Sequence, residues 1–250
     1  MIIYGLNPVL EALRAGRVRS LRVSARSDRR VQDVLRLAAA ATVRVQQVDV
    51  SELDRAARGG LHQGVVAEVE DTPEYDVADL VRAAVGAPLI VVLDGVEDPH
   101  NFGAILRAAD AAGADGVVRQ TRRAAAADGV AAKASAGALA HVRIASVVNI
   151  ARAIDELKAA NVWTVGLAGD APECYSDLDL TLPTALVLGG EGDGLRRLVR
   201  ETCDRTASIP MLGHVDSVNV SVAAGIVLFE AVRQRRQKSR AAGLREPGRR

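Results

Sequence analysis

Aromatic side chains are nearly absent: one Trp, three Tyr and two Phe make up 2% of 250 residues. A core must therefore be assembled from Ala, Val, Leu and Ile, and a hydrophobic content of 49% over this length is enough to fill a sizeable one. The same scarcity argues against an RNA reader that stacks bases on aromatic platforms. Cysteine is as rare. Cys174 and Cys203 stand far apart and form no C-x-x-C pair, which argues against a disulfide framework or a zinc site and for a reducing compartment. No apolar run is long enough to span a bilayer and the first residues carry no signal-peptide pattern, so the expected location is the cytoplasm, with no membrane partner. A G-x-x-x-x-G-K-[ST] sequence is missing too, which disfavours an ordinary phosphate-binding ATPase.

Net charge is also close to nil, at +1, but it is unevenly spread. Nine arginines between Met1 and Arg44 face only Glu11, Asp28 and Asp33. A second basic cluster, Arg233 to Arg250, is opposed only by Glu246. Either end can meet a polyanion; a solvated surface or a disordered tail is the plainer alternative for each.

The chain begins as a strand, Ile2-Ile3-Tyr4, followed by a helix for which Asn7 is the expected cap and Pro8 the first helical residue, ending at Gly16. Alternation at Leu21–Val23 and Val43–Val45, helical periodicity over Val31–Ala41 and a strand over Gly64–Val69 make a small α/β module spanning residues 1–70. The run Asp71-Thr72-Pro73-Glu74-Tyr75 breaks the pattern and opens a linker over 71–86. From residue 87 to 236 continuous apolar runs such as Pro88–Leu93 and Ala185–Leu188 alternate with helical stretches. Strands of that kind point to a parallel sheet covered on both faces, as in doubly wound α/β domains. Ala124–Ala140 reads as an Ala-rich loop and helix, and residues 237–250 as a basic, disordered tail.

Three segments of this second region carry polar residues that need partners. Asp94 to Arg107 leaves the carboxyl end of the strongest strand and enters a helix, where open α/β sheets bind ligands; Asn101 and Arg107, nearly two turns apart, are placed on one broad face. Asn101 as a cap and Arg107 as a surface residue is the bland alternative. Leu188-Gly189-Gly190-Glu191-Gly192-Asp193-Gly194 is a Gly-rich turn in which backbone approaches a ligand closely, or simply a tight turn. Its spacing fails the G-x-G-x-x-G dinucleotide pattern, so an NAD-dependent oxidoreductase rests on this loop alone. Glu191 repels phosphate but accepts hydrogen bonds from an amine or hydroxyl. Finally, Ser217, Asn219 and Ser221 head an apolar helix after Ile209-Pro210-Met211, as helix caps or as a ligand site.

Together these segments resemble the SpoU (TrmH-type) RNA 2'-O-ribose methyltransferases of the SPOUT superfamily. Asn101-x-Gly103-x-x-x-Arg107 is similar to the first family motif, Leu188–Gly194 to the second, and Ile209-Pro210-Met211 with Ser217-Val218-Asn219-Val220-Ser221 to the third. Tyr4-Gly5-x-Asn7-Pro8-Val9 and His62–Ala67 resemble the substrate-binding module of the bacterial enzymes that methylate a guanosine of large-subunit (23S) rRNA. The resemblance implies a small N-terminal α/β substrate-binding domain (ribosomal-protein L30e-like) and a C-terminal α/β SPOUT domain with a trefoil knot. It implies a homodimer, with 23S rRNA or a ribosomal precursor particle as partner. It further implies S-adenosylmethionine, without a metal, held by backbone at Gly189, Ile209 and Val218 with Leu188, Gly190 and Met211 close by, and catalysis by Asn101, Arg107, Glu191, Ser217 and Asn219. Transfer RNA, an antibiotic-resistance site in rRNA, and a non-catalytic ribosome-assembly factor are the rival readings. His214-Val215-Asp216 departs from the small residues the family carries there.

Overall fold

In a computed structural model the strands of the first 70 residues form one sheet. It comprises β1 (Ile2–Tyr4), β2 (Val18–Ser24), β3 (Arg44–Val48) and β4 (Val65–Val69) in the order β1-β4-β2-β3, with only β2 and β3 parallel. The structure describes residues 1–25, 29–70, 75–121, 135, 138–192 and 194–243. Helix α1 (Leu6–Arg14) buries Leu6, Val9, Ala12 and Leu13, and α2 (Arg29–Ala40) buries Val31, Val34 and Ala38; both stripes recur every three or four residues. Helix α3 (Val50–Ala56) went unread because it is short and buries a single residue, Leu53.

Asn7 does not cap α1. Gly5 does, at φ 93°, a left-handed conformation that excludes most side chains, and Pro8 stands third in the helix rather than first. The Leu6 N–H, orphaned at the helix start, is satisfied by the Gln63 side chain at 3.1 Å. A non-local partner thus did what the local sequence pattern assigned to Asn7.

The second sheet has seven strands: β5 (Leu89–Asp94), β6 (Gly116–Gln120), β7 (Ile144–Val147), β8 (Trp163–Leu167), β9 (Glu173–Cys174), β10 (Thr184–Gly189) and β11 (Arg205–Ser208). Every pairing in it is parallel and the order is β7-β6-β5-β10-β8-β11-β9. The expectation of a parallel sheet holds, for the stated reason: β5 is buried at every position. Its core joins Ile90, Val92, Val118, Ala185 and Val187 with Ile150, Ile154 and Leu157 of α6 (Ile150–Ala159). Strand β10 fills the gap between β5 and β8, and β11 the gap between β8 and β9. Late strands therefore stand beside early ones, and their carboxyl ends lie on one edge.

Residues 71–86 are not all linker. Helix α4 (Val77–Arg82), closed by a reciprocal capping box between Asp76 and Asp79, buries Val77 and Leu80 in the same core. A Cβ on Gly116 would lie 2.5 Å from the Leu80 side chain, so that glycine lets α4 lie against β6. Helix α5 (Pro99–Ala112) follows β5, α7 (Arg197–Thr202) follows the Gly-rich turn, and α8 (Val220–Ala241) runs past the expected limit at Arg236. Most of the Ala-rich stretch from 124 to 137, and residues 244–250 of the tail, lie outside the described residues. The chain separates into two units: Met1–Pro73, Asp98–Arg107 and Arg123–His141 make the first, and Glu74–Glu97, Ala108–Arg122 and Val142–Arg250 the second.

Candidate active site

Within the second unit, parallel pairing of β10 with β5 sets Gly189 opposite Asp94, so the Gly-rich turn leaves the middle of the sheet beside the end of β5. The turn closes on itself: Gly194 N–H donates to the Gly190 carbonyl at 3.1 Å. A Cβ on Gly189 would lie 2.1 Å from the carbonyl carbon of Gly194, and one on Gly190 2.5 Å from the carbonyl oxygen of Gly95. Gly192 and Gly194 have φ of 88° and 62°. Two glycines are thus demanded by backbone packing and two by backbone conformation. The tight-turn reading and the close-approach reading describe the same turn.

The turn's exit is held by Asp94, whose side chain is 0% exposed. Its Oδ2 accepts the backbone N–H of Arg196 at 2.8 Å and its Oδ1 accepts Arg196 Nε at 2.6 Å, with a second guanidinium nitrogen paired to the same carboxylate. Arg196 also donates to Gln120 Oε1 at 3.3 Å, and Gln120 Nε2 donates to the Val148 carbonyl at 3.0 Å. A network of hydrogen bonds thus ties the turn to the ends of β5, β6 and β7.

From β11 the chain passes Ile209, Met211 and Val218, each half-buried, to α8. Between them Leu212 is 98% exposed, and the His214–Ser217 segment is exposed as well. Asn219 is the N-cap of α8: its Oδ1 accepts Ser221 N–H at 2.8 Å and the Ser221 hydroxyl at 2.6 Å. Its other end donates from Nδ2 to Glu191 Oε1 at 2.9 Å. One amide therefore caps the helix and joins the third motif to the carboxylate of the second. This carboxylate is exposed, so it repels phosphate and is open to a hydrogen-bond donor such as an amine or hydroxyl.

Asn101 and Arg107 belong to α5, in a segment of the first unit. Asp98, not Asn101, caps the helix: its carboxylate accepts the N–H groups of His100 at 3.1 Å and Asn101 at 3.3 Å. Asn101 is 8% exposed whereas Arg107 is exposed. Six residues at about 100° each leave them roughly 120° apart around the helix, so the shared face expected from spacing is not formed.

Residues 88–229 match the model of the SpoU rRNA methylase family, and residues 2–75 match that of the RNA 2'-O ribose methyltransferase substrate-binding domain. The chain belongs to the SpoU family. It is 44% identical to the 23S rRNA (guanosine-2'-O-)-methyltransferase RlmB of Yersinia pestis, over 95% of this chain and 99% of that one. The enzyme of the same name from a Burkholderia species is 49% identical over 84% of this chain and 86% of its own. Among solved structures, the SpoU methyltransferase AviRb from Streptomyces viridochromogenes in complex with AdoMet superposes with a TM-score of 0.79, at 30% identity, covering 95% of this chain and 91% of that one.

The SpoU motifs were legible in the sequence, but Asp94, Arg196 and Gln120 were passed over. A signal existed for the first: an aspartate closing an otherwise apolar strand must find a partner, because a buried unpaired charge is costly. Nothing local identified Arg196, 102 positions along the chain, as that partner.

Proposed function

We propose that this protein transfers the methyl group of S-adenosylmethionine to the ribose 2'-hydroxyl of a guanosine in 23S rRNA. The observation that carries the reading is the Asn219–Glu191 hydrogen bond, which joins the second and third SpoU motifs beside the carboxyl ends of the parallel strands. The relatives' names supply the substrate. In this reading backbone groups of Gly189, Ile209 and Val218 hold the cofactor, with Leu188, Gly190 and Met211 alongside. Residues 1–70 bind RNA, and the arginine-rich first 44 residues supply phosphate contacts. Residues 87–236 carry catalysis, with the trefoil knot of the SPOUT superfamily in the backbone.

When bound by the backbone of Gly189, Ile209 and Val218, S-adenosylmethionine would supply an electrophilic methyl carbon, with the thioether as the leaving group and the ribose hydroxyl proton released to solvent water. The protein must align oxygen, carbon and sulfur, for which positioning supplies up to about 7 to 11 kcal/mol in ideal cases. Arg107 carries a guanidinium, which has donors only and no acceptor to offer. Its role is to hold the target phosphate and stabilise the charge that develops on the oxygen. Asn101, Ser217 and Asn219 orient the reacting groups, and Glu191 faces the cofactor's positive charge.

The protein works as a homodimer in the cytoplasm, where its RNA substrate or a ribosomal precursor particle is found. An apolar stripe on α8 supports the dimer: Val222 and Phe229, seven residues apart and therefore on one face, are 49% and 50% exposed. Among the described residues no helix is long and apolar enough to cross a membrane.

Two measurements test the reading. Sites of 2'-O-methylation on 23S rRNA are mapped from cells with and without the protein, and purified protein is assayed on 23S, 16S and transfer RNA transcripts. A guanosine mark in 23S rRNA that vanishes with the protein is expected; methylation of transfer RNA alone would move the assignment. Arg107→Ala and Asn101→Ala should abolish transfer while cofactor binding, followed by calorimetry, stays near wild type. Near-normal turnover by either variant refutes its role.

A further inference from the structure

We propose that Asp94 and Arg196 are a positioning pair that sets the cofactor affinity of the Gly189–Gly194 turn, an inference that rests on the methyltransferase reading of that turn. A turn so rich in glycine has much conformational freedom to lose, and a ligand held by its backbone binds only the fraction of molecules in the right conformation. The turn's entry is fixed by the pairing of Gly189 with Asp94, and its middle by the Gly194-to-Gly190 hydrogen bond. Its exit depends on Asp94. One carboxylate oxygen takes the Arg196 backbone N–H at 2.8 Å and the other takes the side-chain Nε at 2.6 Å, so the same group orients main chain and side chain together.

The chemistry of the pair favours a geometric role over a purely stabilising one. A fully buried carboxylate must be desolvated, and an apolar pair of similar volume is often at least as stabilising. Charge and two directional acceptors give what an apolar pair does not: a fixed angle for the chain as it leaves the turn. Arg196 is also the N-cap residue of α7 and reaches Gln120 on the neighbouring strand, so the exit is referred to the sheet rather than to solvent-facing loop. The turn also carries Glu191, so an exit that loosens disturbs the hydrogen bond to Asn219 as well.

The test compares wild type with Arg196→Ala, Arg196→Lys and Asp94→Asn by calorimetric titration with S-adenosylmethionine, turnover on 23S rRNA at saturating cofactor, and thermal midpoint. If the competent fraction falls to about a tenth, the apparent Kd rises about tenfold. That rise is expected for Arg196→Ala at unchanged binding stoichiometry, with turnover impaired most at limiting cofactor and recovering as cofactor is raised. Arg196→Lys, which keeps the charge and the backbone N–H, should recover part of the affinity. Arg196→Ala leaves the backbone hydrogen bond to Asp94 in place and decides the matter if Asp94→Asn does not fold. Unchanged Kd in Arg196→Ala, or a loss confined to stoichiometry and thermal midpoint, overturns the proposal and leaves the methyltransferase reading standing. Failure of wild type itself to bind S-adenosylmethionine removes both.

Discussion

Asn219 carries two duties that one substitution separates. Its carbonyl oxygen caps α8 and its amide nitrogen donates to Glu191. Asn219→Asp keeps the acceptor for the Ser221 N–H but replaces the donor with a second carboxylate facing Glu191. Asn219→Ala loses both. The aspartate variant should therefore unfold at nearly the wild-type temperature and yet lose methyl transfer, whereas the alanine variant should also lose about 1 kcal/mol of stability. Equal stability losses in the two variants, read by urea denaturation, would show that the cap is not what Asn219 supplies. That this residue needs partners was legible in the sequence, because it belongs to a polar trio heading an apolar helix. That a single side chain both caps the helix and meets Glu191 was not, since Glu191 lies 28 positions earlier.

Among the elements, α8 and the Asp204 turn show how the second sheet is held. Arg235, half-buried on α8, donates to the carbonyls of Ala87 (2.7 Å), Pro88, Leu180 and Leu182 (each 3.0 Å). Those carbonyls border β5 and β10, so one guanidinium staples the last helix to two central strands. Arg235→Ala strands acceptors that are poorly solvated and should cost about 2 to 4 kcal/mol in chemical denaturation. A change under about 0.5 kcal/mol would mean that water replaces the guanidinium freely. Asp204, between α7 and β11, accepts the Thr164 N–H at 2.9 Å and hydroxyl at 2.8 Å and pairs with Lys158 at 3.2 Å. Burial pushes its carboxyl up, but these hydrogen bonds and the lysine outweigh burial and hold it below the ordinary value of 3.8. A depressed carboxylate stabilises the fold above that value and ceases to do so as pH falls through its folded pKa. Asp204→Asn should accordingly be less stable than wild type near neutrality, with the difference closing below about pH 4; a difference constant with pH contradicts the assignment. Cys203, next to it, has its thiol pushed up to about 12, first by burial and then by the Asp204 charge, so it is inert as a nucleophile at neutral pH.

For the whole molecule, the exposed stripe on α8 bears on the proposed dimer. Val222→Glu combined with Phe229→Glu places two charges on that stripe and should shift a sedimenting dimer to monomer, with loss of activity if the site needs both copies. A variant that remains dimeric directs the interface elsewhere. Many element types followed from residue patterns, apolar runs for buried parallel strands such as β5 and β10 and three-or-four spacing for α1 and α2, whereas the short strands β7 and β9 were not read. The three SpoU motifs were equally readable, because each is a short run of residue types. Boundaries that depend on distant contacts were not. Helix α4 looked like linker until its Val77 and Leu80 met β6 and α6, and α1 was misassigned a cap because Gln63 lies 57 positions from Leu6. Periodicity and composition, which are local, thus determined by themselves the α/β class and the parallel sheet, and resemblance to the SpoU family marked the motif residues. Only the tertiary structure decided that β10 lies between β5 and β8, that Asp94 grips Arg196 and that Asn219 meets Glu191. Hydrogen bonds and buried charges are satisfied by whichever groups the fold brings within about 3 Å, and separation along the chain does not reveal which those are.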